Sequence, residues 1–157
     1  MTWTLVICKP DAVERGLVGE IVGRLEARQL RLVAAELRQI DAGTAERHYE
    51  EHQGKDFFAG LIAFLTRSPS MVMVVEGPGD TWQVVRSMIG ATDPIGAAPG
   101  TIRGDLALAT RENLVHGSDG RASAAREIAL FFPGLAAGRA DWLAEGATGA
   151  AVPGGVA

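Results

Sequence analysis

Thr2-Trp3-Thr4-Leu5-Val6-Ile7-Cys8 is a run of apolar and β-branched residues, and Lys9-Pro10-Asp11 ends it abruptly. It reads as a strand, because β-branched side chains fit a pleated surface and Pro10 cannot continue a ladder. Asp11 then stands where a helix cap belongs, ahead of Val13, Leu17, Ile21, Val22 and Leu25 at helical spacing, so a helix to about residue 28 is expected. Residues 30–39 alternate, with Leu30, Leu32, Ala34 and Glu36 on one face and Val33 and Leu37 on the other. The order is β-α-β. It recurs: Met71-Val72-Met73-Val74-Val75-Glu76 reads as a fully buried strand, residues 81–89 as a helix, and a short strand ends at His116.

Between these units, Thr44 is expected to cap a helix over 45–53, Gly54-Lys55-Asp56 breaks it, and 57–66 reads as a further helix stopped by Ser68-Pro69. A last helix is expected over 121–132. The segment 90–110, rich in Gly, Pro and Ala, reads as a long loop of the kind that carries function. Two split βαβ units on one sheet predict an α+β protein, a ferredoxin-like βαββαβ fold with an antiparallel four-stranded sheet covered by helices. We expect one domain over residues 1–135. Residues 136–157 are an Ala/Gly-rich extension, expected to be mobile beyond about 146, and 139–145 reads as a segment that packs on the body or on a neighbouring subunit.

Composition narrows the function classes. In 157 residues, 47% are hydrophobic and 22% charged, the balance of an ordinary soluble domain. A formal net charge of −4 disfavours nucleic acid or an anionic membrane as the bulk partner. Cys8 is the only cysteine, so no internal disulfide forms. No stretch approaches the roughly 18 apolar residues of a membrane span, and the first residues lack a basic n-region. The expected setting is cytoplasmic.

The segment Asn113-Leu114-Val115-His116-Gly117-Ser118-Asp119 carries the chemistry. Imidazole is a neutral nucleophile that accepts a phosphoryl group and still leaves easily. Leu114 and Val115 read as the end of a buried strand, which puts His116 at its C-terminal edge. Gly117 removes a Cβ where a ligand must approach, and Ser118 and Asp119 place polar groups beside the ring. Arg86, Thr92 and Arg103 lie within eighteen residues of one another, linked by glycines at 90, 96, 100 and 104; guanidinium forks suit phosphate, although loop arginines are commonly just solvated. Whether the first and last strands are neighbours or lie on opposite sheet edges stays open. Phe57-Phe58 at a helix start suits a flat ligand as well as a hydrophobic anchor.

Two motifs carry less. His48-Tyr49-Glu50-Glu51-His52 matches H-x-x-E-H, but a catalytic zinc needs a third protein ligand, the only other histidine is His116, and a solvated helix face is the plainer reading. The glycines between 90 and 104 do not spell G-x-x-x-x-G-K-[ST].

Taken together, Lys9-Pro10-Asp11, His48-Tyr49, Phe57-Phe58, Arg86 with Ile89-Gly90-Ala91-Thr92, Pro99-Gly100-Thr101-Ile102-Arg103-Gly104-Asp105, the His116 segment and Glu127-Ile128 closely resemble nucleoside diphosphate kinases. The resemblance runs from Thr2 to about Phe132. It implies a ping-pong transfer of the γ-phosphoryl group from a nucleoside triphosphate, mainly ATP, to a nucleoside diphosphate through phosphohistidine at His116, with broad base specificity. It further implies that Lys9 and Asn113 meet the sugar hydroxyls and γ-phosphate region, that Arg86, Thr92 and Arg103 hold phosphates, and that Phe57 stacks on the base. Ser118 and Glu127 would fix the histidine, and Tyr49 would support Lys9. His48 and His52 would lie near the cleft mouth, with His52 in reach of a phosphate. Mg²⁺ is the expected cofactor, held mainly through the nucleotide's phosphates rather than by protein ligands.

The sequence departs from the family pattern at Gly120, where serine is usual, and at Ala97 and Ala98, where many relatives carry lysine. Residues 142–145 resemble the Trp-hydrophobic-x-Glu ending of eukaryotic members, which favours a homo-hexamer over a tetramer. Two other readings compete: an inactive nucleotide-binding scaffold, which would not need the nucleophile, and a nucleic-acid-binding ferredoxin-like domain, which would want a basic face with sheet aromatics.

Overall fold

The computed structural model describes residues 1–138. In chain order the elements are β1 (Thr2–Cys8), α1 (Pro10–Glu14), α2 (Val18–Ala27), β2 (Arg31–Arg38), α3 (Ala42–His48), α4 (Phe58–Thr66), β3 (Ser70–Gly77), α5 (Thr81–Ile89), α6 (Ile102–Leu106), β4 (Val115–Gly117), α7 (Arg121–Phe131) and α8 (Pro133–Ala137). The four strands form one sheet in the order β2-β3-β1-β4, with every neighbouring pair antiparallel. This is the expected ferredoxin-like α+β arrangement, and the open question about the first and last strands is answered: β4 lies beside β1.

Helices cover the sheet on both faces, so β1 and β3 are apolar at nearly every position. Val6, Cys8, Met73 and Val75 face Ile21 and Leu25 of α2, Val85 and Ile89 of α5 and Ile102 of α6. On the other face Leu5, Ile7, Val72 and Val74 meet Ala45 of α3, Leu65 of α4 and Ile128 and Phe131 of α7. The period of two along each strand divides the two cores. Ala136, near the end of the described chain, is also buried in the second core.

Several local expectations differ from the structure. The first helix is two helices, broken at Gly16, whose φ of +67° lies in the left-handed region. Lys9 rather than Asp11 stands at its N-cap, because the Asp11 carboxylate is drawn away to accept the backbone N–H of Leu114 at 2.9 Å. The next helix begins three residues early, at Ala42. Its cap is Asp41, which accepts from the Thr44 N–H at 2.9 Å and from the Thr44 hydroxyl at 2.7 Å. In β2 the pairing jumps from Leu32↔Val75 to Ala34↔Val74, so a bulge at Val33 puts Leu32 and Ala34 on opposite faces rather than one.

The segment 90–110 is an ordered connection. It holds a 3₁₀ turn at Pro94–Gly96, capped by Asp93, and then α6, capped by the Thr101 hydroxyl. The expectations for residues 139–157, including 142–145 and the tail beyond 146, lie outside the described residues. Among the described residues no helix is long and apolar enough to cross a membrane.

Gly104 is where this connection is least tolerant. A Cβ there would lie 2.0 Å from the Ala98 carbonyl oxygen, a backbone atom that cannot swing aside. Gly104→Ala is therefore expected to cost at least about 1–3 kcal/mol in urea unfolding, as overpacking does. A midpoint equal to the wild type's would show that the segment repacks freely.

Candidate active site

His116 is the middle residue of β4, paired with Ile7 of β1, and not the residue at its end. That register decides its direction. Ile7 belongs to the face covered by α3 and α7, so the His116 side chain rises toward those helices, while Val115 and Gly117 turn the other way. Gly117 is required by packing from that second side: a Cβ would meet Ile89 Cδ1 at 2.8 Å and Val85 Cγ1 at 3.2 Å. Its missing side chain makes room for α5.

Three residues of strand do not hold themselves. Leu114 sits at φ +73° although it is not glycine, and the Val115 N–H donates to the Asn113 carbonyl at 2.9 Å. Together these define a γ-turn of the rare, strained hand. Its neighbours brace it from both ends. The Lys9 N–H donates to the Leu114 carbonyl at 2.8 Å, and the Asp11 carboxylate accepts the Leu114 N–H. Arg103, 7% exposed, donates from Nε to the Asn113 carbonyl at 3.2 Å and from Nη2 to the Val115 carbonyl at 2.7 Å. Nη1 reaches back to the Gly90 carbonyl at 3.2 Å, tying the 90–110 connection to the site.

On α7, Glu127 is 3% exposed and lies 3.0 Å from His116 Nε2 through Oε2. Ser118 Oγ donates to the same oxygen at 2.7 Å and accepts the Leu5 N–H at 3.2 Å. Burial pushes the Glu127 carboxyl up, but the hydrogen bond and charge of His116, with help from His48 and Ser118, outweigh it and hold the group below its ordinary value. An ionised Glu127 accepts from Nε2, which fixes the neutral imidazole as the Nε2–H tautomer and leaves the lone pair on Nδ1.

His48 was expected near the cleft mouth or on a solvated face. It lies beneath the site instead, 3% exposed, with its ring edge-on to His116 at 4.7 Å and to Phe131 at 5.4 Å. Its Nδ1 is 4.0 Å from Glu127 Oε1, and neither ring nitrogen has a hydrogen-bond partner. Burial first, and the neighbouring His116 second, push its pKa down to about 3. The one available signal in the sequence is that His48 lies three residues after the small Ala45, on the inward stripe of α3. His52, by contrast, lies beside Phe57 at 5.4 Å and Lys55 at 3.1 Å.

A cleft joins these residues. Its polar end, about 230 Å³, is lined by His116, Arg86, Thr92, Arg103, Asp119 and Glu127 among others. A larger and mostly apolar chamber of about 840 Å³ adjoins it, lined by Lys9, Tyr49, Phe57, Phe64, Thr92 and Asn113 among others. Tyr49, His52 and Thr92 border both. Asn113 Oδ1 accepts from Lys9 Nζ, and its Nδ2 donates to the Thr92 carbonyl at 2.9 Å, so one amide links three of the residues singled out from sequence. Arg86 donates to the Gly117 carbonyl at 3.3 Å. Phe57 is 46% exposed at the chamber wall.

Burial pushes Lys9 down to about 8, with Asp11 opposing and Arg103 assisting. Arg103 is likewise lowered to about 10 by burial and by Arg86. Partly desolvated cations beside a polar cavity are a site for a polyanion. The architecture and the cleft together define an α+β protein in which a part-buried histidine, hydrogen bonded to a buried glutamate, opens on a polar cavity bordered by arginines.

The nucleoside diphosphate kinase family model matches residues 2–136. The chain is 57% identical over 132 residues to the nucleoside diphosphate kinase of Frankia casuarinae, covering 84% of this chain and 96% of that one. It is 57% identical over 133 residues to that of Mycobacterium leprae, covering 84% and 97%. Among solved structures it superposes on the Halobacterium salinarum nucleoside diphosphate kinase in complex with CDP with a TM-score of 0.81 and 48% identity, covering 83% and 87%. The Babesia bovis family member gives 0.83 at 40% identity, covering 86% and 90%. The chain belongs to the nucleoside diphosphate kinase family, and it is a phosphotransferase.

His48 makes stability depend on pH. Its folded pKa is depressed below the unfolded value, so the unfolded chain binds a proton first as pH falls through about 6.5. Its contribution is intact above that pH and is lost progressively below it, by up to about 1.4 kcal/mol per pH unit. In chelator-treated protein, urea unfolding between pH 7 and pH 5 is expected to show this loss, and His48→Asn to flatten it. An equal slope in both proteins would assign the pH dependence to other groups.

Proposed function

We propose that the chain transfers the γ-phosphoryl group of a nucleoside triphosphate, mainly ATP, to a nucleoside diphosphate by a ping-pong reaction through phosphohistidine at His116. The observation that carries this reading is the 3.0 Å contact between His116 Nε2 and the buried Glu127 carboxylate. It presents Nδ1 as the nucleophilic nitrogen, and Glu127 balances the positive charge that grows on the ring as the N–P bond forms and the bond to the departing diphosphate breaks. In the second half-reaction a nucleoside diphosphate oxygen attacks the same phosphorus, the N–P bond breaks, and the ring returns to its starting tautomer. Ser118 is a positioning residue for Glu127.

Transfer proceeds through a nearly planar phosphoryl group with charge spread over its oxygens, so the work left to the protein is placement and cationic stabilisation. We assign that to Arg86, Arg103 and Thr92 at the polar end of the cleft. Lys9 and Asn113, already hydrogen bonded to each other, are assigned to the sugar hydroxyls and γ-phosphate region. Tyr49, on the same chamber wall as Lys9, is assigned a supporting role there. Phe57 is assigned to stack on the base. Every base has a π-face, and stacking on one exposed ring supports broad base specificity.

The wall suits Mg²⁺ carried in by the nucleotide. Glu127 is hydrogen bonded to His116 and Ser118, and Arg86, Arg103 and Arg126 border the cavity, so the phosphates would supply most of its ligands, with Asp119 on the cavity wall to meet its water shell. Bound there, Mg²⁺ neutralises phosphate charge. The CDP bound in the Halobacterium salinarum relative is of the nucleotide class proposed for this cleft. We also propose a cytoplasmic homo-oligomer, hexameric rather than tetrameric; the exposed Leu37, Ile95 and Leu108 supply apolar surface for self-association.

Incubation with γ-³²P ATP and Mg²⁺ is expected to leave acid-labile, alkali-stable label on the protein, removed by an added nucleoside diphosphate of a different base. His116→Ala is expected to lose label and turnover while still binding nucleotide. Label retained by that variant would overthrow the nucleophile, and unlabelled wild type that binds nucleotide would favour the scaffold reading.

Phe57→Ala is expected to weaken purine and pyrimidine nucleotides alike, by roughly 1–3 kcal/mol in titration calorimetry. A loss confined to purines would argue for base-specific contacts instead of stacking.

A further inference from the structure

We propose that His48, His116 and Glu127 form a site for a divalent metal ion of the zinc class, and that occupying it silences the nucleophile. One ligand atom from each residue falls within 4.8 Å of the others. His116 Nε2 and Glu127 Oε2 are 3.0 Å apart, and His48 Nδ1 and Glu127 Oε1 are 4.0 Å apart. Zinc bonds of 2.0–2.2 Å in a tetrahedron set two ligands roughly 3.4 Å apart, so small rotations of these side chains converge on one ion. The independent sign is His48. It is 3% exposed, and both its ring nitrogens are without hydrogen-bond partners although Nδ1 lies 4.0 Å from Glu127 Oε1 and the ring packs on His116. A buried imidazole in that condition is an uncompensated polar group, and a metal ion is a partner that would satisfy it.

The donor set selects the ion. Two imidazoles and one carboxylate suit zinc, copper or nickel far better than magnesium, so Mg²⁺ brought in with nucleotide does not compete here. Two neutral rings and one carboxylate bring a charge of −1 to the ion. Arg126 Nη2, 3.8 Å from Glu127 Oε1, opposes the binding, but that side chain is 39% exposed and able to turn to solvent. The three protein ligands leave a fourth position, open to the polar cavity.

Silencing follows from the tautomer and rests on the reaction proposed above. Without metal, the His116 proton sits on Nε2, facing Glu127, and Nδ1 holds the lone pair. A metal on Nε2 takes that lone-pair position, and the proton moves to Nδ1, with none released. The nitrogen that would attack phosphorus then has no electron pair to offer. Of the H-x-x-E-H segment only His48 takes part, because His52 lies against Lys55 and Phe57.

The test uses untagged full-length protein and Co²⁺ as a spectroscopic probe. We expect one Co²⁺ per chain with visible bands of four-coordinate nitrogen–oxygen ligation. His48→Ala, His48→Asn and Glu127→Gln, each checked for folding by circular dichroism, should lower the affinity at least about tenfold, and His52→Ala should not. Zn²⁺ should suppress labelling by γ-³²P ATP in the presence of excess Mg²⁺, and a chelator should restore it. Bands that survive both His48 substitutions, bands lost in His52→Ala, or a thiolate charge-transfer band from Cys8 would each overturn the site. Unaltered labelling at full metal occupancy would overturn the silencing. A protein that binds Co²⁺ as described yet takes no label even with chelator would fail the proposed reaction and leave the metal site standing.

Discussion

The strained turn at Leu114 depends on partners that come from far away in the chain, and the site depends on that turn. A residue at φ +73° without glycine costs on the order of 1–3 kcal/mol, and it persists only where surrounding structure over-determines it. Here the determinants are the backbone of Lys9, the carboxylate of Asp11 and the guanidinium of Arg103. Two of them follow directly on β1, which is buried on both faces and cannot shift without disturbing both cores. The rigidity of the central strand is thus transmitted to a three-residue edge strand, and through it to the His116 ring.

The same arrangement concentrates positive charge. Lys9 and Arg103 are both buried, and both are less willing to hold their protons than in water. Asp11 is the counter-charge for Lys9, but its own carboxyl is raised by burial more than Lys9 and its backbone hydrogen bonds lower it. Burial thus leaves both cations incompletely compensated by the protein's own carboxylates, which suits the polyphosphate proposed for this cleft. Arg103 illustrates the double use: its three nitrogens brace carbonyls of the turn and of Gly90, and the same guanidinium borders the cavity. The proposed phosphate contact and the architecture would share one side chain.

Much of the fold was legible because β1, β3 and α5 carry their own signals, a buried apolar run or a clear helical period, bounded by Pro or Gly. What was not legible depended on partners. The Val33 bulge is visible only against β3, since alternation in 30–39 gives no hint of the residue at which pairing slips. Asp11 looks like a helix cap until Leu114 arrives beside it. Most residues singled out by resemblance line the cleft, with Ser118 buried behind Glu127, but His48 was misplaced, because polarity suggested solvent while helical position pointed inward. Gly117 was read as clearance for a ligand, and the register that turns it toward α5 could not be known from β4 alone.

Under the proposed function, the division of the cleft would let one site be exacting about phosphate and lax about base. The polar end is small, and its guanidiniums and imidazole have directions fixed by backbone carbonyls and a buried carboxylate. The outer chamber is more than three times larger and mostly apolar, and it would offer the base a half-exposed Phe57 ring instead of a fixed set of donors and acceptors. Hydrogen-bonded sites reject analogues that leave their polar groups unpaired, whereas stacking discriminates weakly between planar rings. A phosphoryl group in this cleft would accordingly be placed to within a hydrogen bond, while the base need only be flat.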